Sequence, residues 1–532
     1  MTAATWWKTA TIYQIYPRSF QDSDGDGVGD LAGVRARLDH LVDLGVDALW
    51  LSPIFVSPMR DFGYDIADYT AIDQVFGTME DFDALIAEVH RRGLKMILDL
   101  VPNHTSDEHA WFRDSRAGRD SPKRDWYIWR DPAPDGGPPN NWQSEFGGSA
   151  WAFDEATGQY YYHAFLASQP DLNWRNPAVR EAVTDVMRFW LDKGVDGFRI
   201  DVLWHLMKDQ SFRDNPENPR WRNGDAPTDR LIKLYTTDLP EMEEVVRLLR
   251  QTVEPYGDRV LIGEIYLPTE RLVRYYGADD DGVHLPFNFA LIDAPWDARH
   301  IDQMIHDYER ALPEGGWPNW VTGNHDKPRL ATRVGLAQAR VAAVLLLTLR
   351  GTPTLYYGEE IGMEHAVFDD ATALDPFARQ VPGFGLGRDG ARTPMQWRPG
   401  PNAGFSDGTP WLPVSRTDEA ATVEGQRDDP ASMLSLYRRL LALRRTRAAF
   451  TEGVYQGLAA EGDLLLYLRE AGAERFLVAL NLGSTPISVR LTGPAAAGEV
   501  VISARPGREG ERVGGELHLD GDNALVIALD PT

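Results

Sequence analysis

Four short segments gather the side chains with which this chain could do chemistry: DLVPNH (99–104), GFRIDV (197–202), GEI (263–265) and GNHD (323–326). Arg199 and Asp201 stand two residues apart, and the alternation of a strand turns both side chains to one face. A guanidinium beside a carboxylate lowers the carboxylate's pKa and keeps it ionised, which suits a nucleophile. Glu264 has the apolar Ile262 and Ile265 for neighbours. A carboxyl in a drier setting stays protonated and can give its proton away. Two carboxyls with separated pKa values are the equipment of glycoside hydrolysis. Asp326, beside His325, adds an anion that would stabilise an oxocarbenium-like transition state. Any one of these acids could equally be a structural ion pair; their concentration in four segments of one chain points to a site.

The elements that must position them alternate in type. Short β-rich runs are predicted at 12–16, 47–51, 95–101, 197–202, 260–263, 320–322 and 353–357. Helices fall between them. One covers 33–44, with Val34, Leu38, Leu41 and Val42 at helical spacing. A second starts at the N-cap Thr78, buries Phe82, Leu85, Ile86 and Val89, and stops at Gly93. A third starts at Asn176-Pro177, with Val179, Val183, Val186 and Trp190 on its apolar side, and stops at Gly194. Alternating strands and helices imply a parallel sheet with helices outside. The number of units, roughly eight, fits a closed (β/α)₈ TIM barrel in an α/β protein better than an open sheet. The four polar segments then lie at the C-terminal ends of strands, where barrel active sites are built.

Two stretches break the rhythm. Residues 103–172 are rich in Trp, Pro, Gly and Asn and read as an inserted subdomain after the third strand, walling the site. Its many tryptophans read more as packing than as sugar platforms. After a helix over 429–445, the pattern turns to short strands separated by Gly, Pro and Asp: LLLYLRE, RFLVALNL, ISVRL, EVVISA and ALVIALD. These predict a C-terminal antiparallel β-sandwich. The divisions are therefore 1–102 and 173–452 for the barrel, 103–172 for the insertion and 453–532 for the sandwich.

Composition sets outer bounds. A chain of 532 residues with 54 basic and 80 acidic side chains carries a net charge of −26, a poor match for nucleic acid or an anionic membrane. There is no cysteine, which excludes disulfides, thiolate metal sites and cysteine catalysis, and fits a reducing compartment. The start, MTAATWWKTATIYQIYPRSF, lacks the basic and apolar regions of a secretory leader, and the longest apolar run, 341–349, is too short to span a bilayer. The expectation is a cytoplasmic protein, monomeric or weakly self-associating, that uses no organic cofactor.

The four segments resemble, in order and spacing, the signature regions of the α-amylase superfamily of glycoside hydrolases, family 13. QPDLN (169–173) resembles a fifth region found in its oligo-1,6-glucosidase and α-glucosidase subfamily. The resemblance extends to IYQIYPRSFQDSDGDGVGDL, FGYDIADY, RTPMQW and the terminal sandwich, and so covers nearly the whole chain, with wording similar to bacterial α-glucosidases of the Thermus and Deinococcus type. It implies a retaining double displacement in which Asp201 matches the nucleophile, Glu264 the acid/base and Asp326 the transition-state stabiliser. His104, Arg199 and His325 match residues that hold the terminal glucose; Asp61, Tyr64 and Arg392 match others at the same subsite, with Asp61 and Arg392 closing its blind end. Phe165 and Gln169 match residues near the bond to be cleaved. The resemblance implies exo-acting release of α-glucose from small oligosaccharides. Val202, directly after the nucleophile position, matches a residue that goes with α-1,6 preference when it is valine and with α-1,4 preference when it is alanine or threonine.

Asp22, Asp24, Asp26 and Asp30 alternate with small residues in DSDGDGVGD, a hard oxygen cage of the kind that suits Ca²⁺. It is not an EF-hand, because the twelfth position is Gly33 rather than Glu, and a metal-free acidic turn is the competing reading. The resemblance implies a structural Ca²⁺ loop with the Val28 carbonyl as a fifth ligand. Three other functions compete with an α-1,6-preferring glucosidase: a broad or α-1,4 enzyme, a glucosyl-transferring or sucrose- or trehalose-isomerising enzyme on the same scaffold, and a non-catalytic relative that binds partners. The last tolerates loss of the acids, and this chain keeps all three.

Overall fold

A computed structural model describes residues 5–369, 371–491 and 497–531. Residues 1–4, from the N-terminal stretch considered above, and 492–496, within the predicted sandwich, lie outside it, as do 370 and 532. The core is a parallel barrel of eight strands: β1 (Ile12–Ile15), β2 (Ala48–Leu51), β3 (Lys95–Leu100), β4 (Gly197–Ile200), β5 (Val260–Ile265), β6 (Leu285–Asn288), β7 (Asn319–Val321) and β8 (Thr352–Tyr356). The hydrogen-bonded ladder runs β6-β5-β4-β3-β2-β1-β8-β7. Its two ends, β6 and β7, come within 8 Å of each other and bring the sheet round on itself.

The strand that periodicity does not mark is β6, LPFN. It is four residues long and carries Pro286, opposite Gly263 of β5. A proline has no N–H to offer, so such a strand belongs at a ladder end, where β6 sits. The other seven strands form where alternation of β-rich runs predicts them, and Ile12, Leu49, Ile97, Phe198, Leu261 and Val321 are buried in them.

The helices show why their boundaries read as they do. Thr78 and Asp81 form a reciprocal capping box at the start of Met79–Arg91, and Phe82, Leu85, Ile86 and Val89 are buried. Asn176 caps Pro177–Asp192 with Pro177 in the first turn. The predicted helix over 33–44 is two, Leu31–Ala36 and Leu38–Leu44, broken at Arg37. The break leaves Val42 on the solvent side while Leu38, Leu41 and Leu44 face the core. The helix predicted from 429 starts at Met433, because Ser432 caps it by accepting the Ser435 N–H.

The insertion folds on a three-stranded antiparallel sheet, Trp129–Arg130, Gln159–Tyr162 and Trp151–Asp154. Its aromatic residues pack on one another, Phe112 on Trp129 and Trp142 on Trp151, and Trp142 also stacks on Phe212 of the barrel segment. Among the described residues the C-terminal domain has eight antiparallel strands, of which Val454–Glu461, Arg512–Gly514 and Glu516–Leu519 lie outside the predicted runs; the last two are only three and four residues long. Val454–Glu461 is an edge strand that alternates between exposed and half-buried positions with none fully buried, so it carries no apolar face in its sequence. One face of this sheet, with Leu465, Tyr467, Phe476, Val478 and Val526, joins the barrel's core, while Leu466, Leu468, Leu477, Leu517 and Ile527 pack inside the domain. Among the described residues no helix is long and apolar enough to cross a membrane.

Candidate active site

The C-terminal ends of β3, β4, β5 and β7 deliver the four polar segments to one place. Arg199, buried on β4, is the hub. Its Nη1 donates to Asp99 Oδ1 at 2.9 Å and to Asp201 Oδ1 at 2.6 Å, and its Nη2 lies 2.7 Å from Glu264 Oε2. The strand ends at Ile200, and Val202 takes a left-handed conformation at φ +36° and ψ +45°. A β-branched residue there costs about 1–3 kcal/mol. The turn lets the Val202 N–H donate to Glu264 Oε2 at 2.8 Å, so the residue after Asp201 holds the second carboxyl from its own main chain.

Asp326 follows β7. Arg392 Nη2 donates to it at 2.9 Å, Arg388 Nη1 stands 3.4 Å away and His325 Nε2 3.3 Å away. His325 is held on both ring nitrogens, 2.8 Å from Gln14 Nε2 and 2.8 Å from the Tyr64 hydroxyl, and its ring stacks on Tyr64 at 3° and on Tyr16. Tyr64 also donates to Asp99 Oδ2 at 3.1 Å. His104 lies 3.1 Å from the Tyr64 carbonyl and 3.3 Å from Gln169, which donates to Asp61 at 3.1 Å. Phe165 packs edge-on against Phe146 and tilted against His104 and His205.

These groups surround a cavity of about 1450 Å³ whose walls include Asp61, Tyr64, His104, Phe165, Asp201, Val202, Glu264, His325 and Asp326. Arg199, Gln169 and Arg392 are buried behind that wall and act on it through their hydrogen bonds. The guanidinium that reaches Asp61 is not that of Arg392, which turns to the His325 carbonyl and Asp326. It is that of Arg388, four residues earlier, at 2.7 Å from Asp61 and 2.6 Å from Asp375. Periodicity gives no sign of Arg388; its place in the segment GRDGARTPMQW is the signal that could have found it. Two further acids belong to the site: Asp99 completes the hub and Asp375 anchors Arg388.

Electrostatics correct one expectation. Burial pushes the Asp201 carboxyl well above the usual range; Arg199 opposes the rise, and the charges of Glu264 and Asp99 add to it. Arg199 is thus the smaller of two opposing effects rather than the one that sets the direction. Burial raises Glu264 as well, against Arg199 and with Asp326, and its carboxyl hydrogen-bonds Asp201. Asp99 is raised to about 6 by burial, again against Arg199. Acids so placed share a proton more readily than exposed ones. Asp326 goes the other way. Burial alone would raise it, but His325, Arg388 and Arg392 outweigh burial and hold it well below the ordinary range. Burial lowers His325 to about 3, so at neutral pH the two guanidiniums carry that effect. One carboxylate fixed in the ionised state stands beside a pair that retains a proton, an arrangement suited to proton transfer next to developing positive charge.

Away from the cavity, Asp22, Asp24 and Asp30 each bring a carboxylate oxygen within 4.8 Å of the others. Asp26 is not in that group; its carboxylate accepts the Val28 N–H at 2.7 Å. Asp22 accepts from the N–H groups of Asp24, Gly25 and Gly27 and from Ser406, and Asp30 caps the helix Leu31–Ala36 by accepting from Gly33.

A parallel barrel with such a site at its C-terminal mouth defines a glycoside hydrolase of the alpha-amylase family, and the chain belongs to that family: residues 14–453 match its catalytic domain, described as alpha amylase, catalytic domain. Over 494 residues, 90% of this chain and 89% of the relative, it is 45% identical to a probable alpha-glucosidase of Rhizobium meliloti (strain 1021). It is 41% identical over 525 residues to an oligo-1,6-glucosidase of Heyndrickxia coagulans, covering 91% of this chain and 93% of the relative. Among solved structures, an alpha-glucosyl transfer enzyme, XgtA, superposes with a TM-score of 0.93 at 41% identity, covering 99% of this chain and all of that one. A trehalulose synthase, MutB, superposes with a TM-score of 0.91 at 35% identity, covering 99% of this chain and 100% of that one.

Proposed function

We propose that the chain is a retaining, exo-acting α-glucosidase that releases α-glucose from the non-reducing end of short α-glucosides, with preference for α-1,6 bonds. The observation that carries this is the Arg199 fork, which holds Asp201 and Glu264 at 2.6 and 2.7 Å in the wall of the cavity. Asp61 and Arg388, joined at 2.7 Å, belong to the same wall and suit recognition of a terminal sugar.

In this reading the terminal glucose lies against Tyr64, His104 and His325, with its anomeric carbon between the two acids. Glu264 gives its proton to the glycosidic oxygen as that bond breaks, and an Asp201 oxygen bonds the anomeric carbon from the opposite side. Water then takes the place of the leaving sugar. Glu264 accepts its proton, the new bond forms to the anomeric carbon, and the Asp201 ester breaks, so the α configuration is kept. Asp326, ionised throughout, stabilises the positive charge that develops in both steps.

The α-1,6 preference rests on Val202 in the cavity wall and on the similarity to oligo-1,6-glucosidases. The similarity to a transfer enzyme and a trehalulose synthase supports a second reading, in which a sugar rather than water accepts the glucosyl group. Initial rates and products with isomaltose, maltose, sucrose and trehalose decide between them, with Asp201→Ala as control. The expected result is free glucose, fastest from isomaltose, and no turnover in the control. An isomerised disaccharide as main product would favour the second reading, and turnover in the control would refute the mechanism.

The same proposal includes a structural Ca²⁺ held by Asp22, Asp24 and Asp30, with Asp26 and the Val28 carbonyl as the further ligands the family resemblance implies. The grouping of three carboxylates supports it, since that much charge at one turn favours a hard cation. It also places the enzyme in the cytoplasm, where a chain without cysteine is indifferent to a reducing environment.

A further inference from the structure

The segment that carries His325 and Asp326 rests on a group the reaction does not use. Glu359, just after β8, is buried directly beneath Gly323. A Cβ placed on Gly323 would stand 2.4 Å from Glu359 Oε1, so the carboxyl fills the space that this glycine leaves open. Its Oε2 lies 3.4 Å from the Thr322 hydroxyl, while Oε1 is buried without a hydrogen-bond partner among the described residues. The charged and titratable groups around it come from every neighbouring element. Arg333 reaches up to donate to the Thr322 carbonyl, Arg329 has its Nε and Nη2 buried without a hydrogen-bond partner among the described residues, Glu360 is adjacent, and Tyr437 faces both glutamates from the helix Met433–Thr446.

We propose that Glu359 is a positioning residue whose neutral form seats the Gly323–Asp326 segment for catalysis. The physical reason is the contact itself. An ionised carboxylate with one oxygen pressed against main chain is costly to bury, and the support it draws from the Tyr356 main chain, Arg333 and Arg329 does not outweigh that burial. Once charged, it is drawn toward the free guanidinium edge of Arg329 and away from Gly323. The segment above, with His325 and Asp326, then loses its support. The titration falls in a working range: burial raises Glu359 from an ordinary 4.5 to about 7, against the Tyr356 main chain, Arg333 and Arg329. Seating is therefore complete on the acid side of neutrality and lost above it.

The inference rests on the glucosidase reading and is tested by the pH dependence of kcat/KM on isomaltose for the wild type and Glu359→Gln. Glutamine keeps the shape and cannot ionise. The expected result is near-wild-type kcat at about pH 6 and an alkaline limb moved upward by about one pH unit or more. A second readout is the melting temperature. The folded protein holds a proton that the unfolded chain has released between about pH 4.5 and 7, so this group's contribution to stability falls as pH rises through that window. The variant should lose that part of the slope. Should glutamine prevent folding, Gly323→Ala probes the same contact, with about a tenfold loss of kcat expected as its methyl displaces the carboxyl. An unmoved alkaline limb and melting slope in a folded Glu359→Gln, or wild-type kcat in Gly323→Ala, would overturn the proposal while leaving wild-type hydrolysis untouched. A wild type without glucosidase activity would instead sink the reading beneath it.

Discussion

Replacing Arg199 with methionine tests the electrostatic heart of the site. One guanidinium contacts three buried carboxyls, on Asp99, Asp201 and Glu264. Two unit charges about 4 Å apart at an effective dielectric constant near 20 interact by about 4 kcal/mol, or about 3 pKa units. Burial already pushes Asp201 up, and Arg199 is the opposing group. Without it, Asp201 stays protonated through neutrality and cannot attack. The fraction ionised at fixed pH falls by about a thousandfold, and kcat/KM with it. The acid limb of the pH profile should move up by about 3 units, so alkaline pH recovers part of the rate. Stability should show the matching sign. Carboxyls whose folded pKa rises favour folding below that pKa, and this support is lost as pH increases through it, so the variant melts lowest relative to wild type on the alkaline side. Arg199→Lys keeps the charge but not the planar fork, so it should lie between the two. The assay is kcat/KM on isomaltose across pH, with melting temperatures beside it. An Arg199→Met enzyme within tenfold of wild type at neutral pH, its acid limb in place, would refute this account of the hub.

Two further outcomes follow from residues at the margins of the chemistry. Val202→Thr should raise the maltose-to-isomaltose ratio of kcat/KM several-fold, on the order of 1 kcal/mol of discrimination, and an unchanged ratio would remove Val202 from linkage choice. A strong chelator should lower the melting temperature by several degrees if Asp22, Asp24 and Asp30 hold a cation, since a ligand bound only to the folded state stabilises it. A melting curve indifferent to chelator and to added Ca²⁺ would return the loop to an acidic turn tied together by its own N–H groups.

How legible the molecule was depends on what each residue answers to. Seven barrel strands and the capped helices are plain in the sequence because burial and capping act on neighbouring residues, and neighbours are what periodicity reads. Strand β6 is obscure because its assignment depends on position in the ladder: Pro286 argues against a strand until its end location is known. The edge strand Val454–Glu461 is obscure for the reverse reason, since none of its residues is fully buried and none had to be apolar. In the site, the juxtaposition of Arg199 and Asp201 follows from spacing alone, whereas Arg388 does not. Arg388 meets Asp61 across 327 positions, and only the folded chain shows that it, and not Arg392, makes that contact. The pKa of Asp201 is the instructive case. Sequence shows the guanidinium beside it but not the depth of burial, and burial is the larger of the two.

The charge around the cavity has a direction that no single residue explains. Asp61, Asp99, Asp201, Glu264, Asp326 and Asp375 stand against Arg199, Arg388 and Arg392, so acids outnumber guanidiniums even where each is paired. The histidines do not redress this, because burial lowers both His104 and His325 toward the neutral form. A neutral sugar in its ground state draws little benefit from such a field. A sugar ring acquiring positive charge draws a great deal, because the anions are already fixed in place by arginines and main-chain N–H groups and need not reorganise. The proton retained by the buried pair keeps the resting site from the full repulsion, and it is the proton that Glu264 gives to the departing oxygen. Burial that raises acid pKa values and guanidiniums that restrain them are therefore one device: the first stores the proton, the second keeps the anions where positive charge will appear.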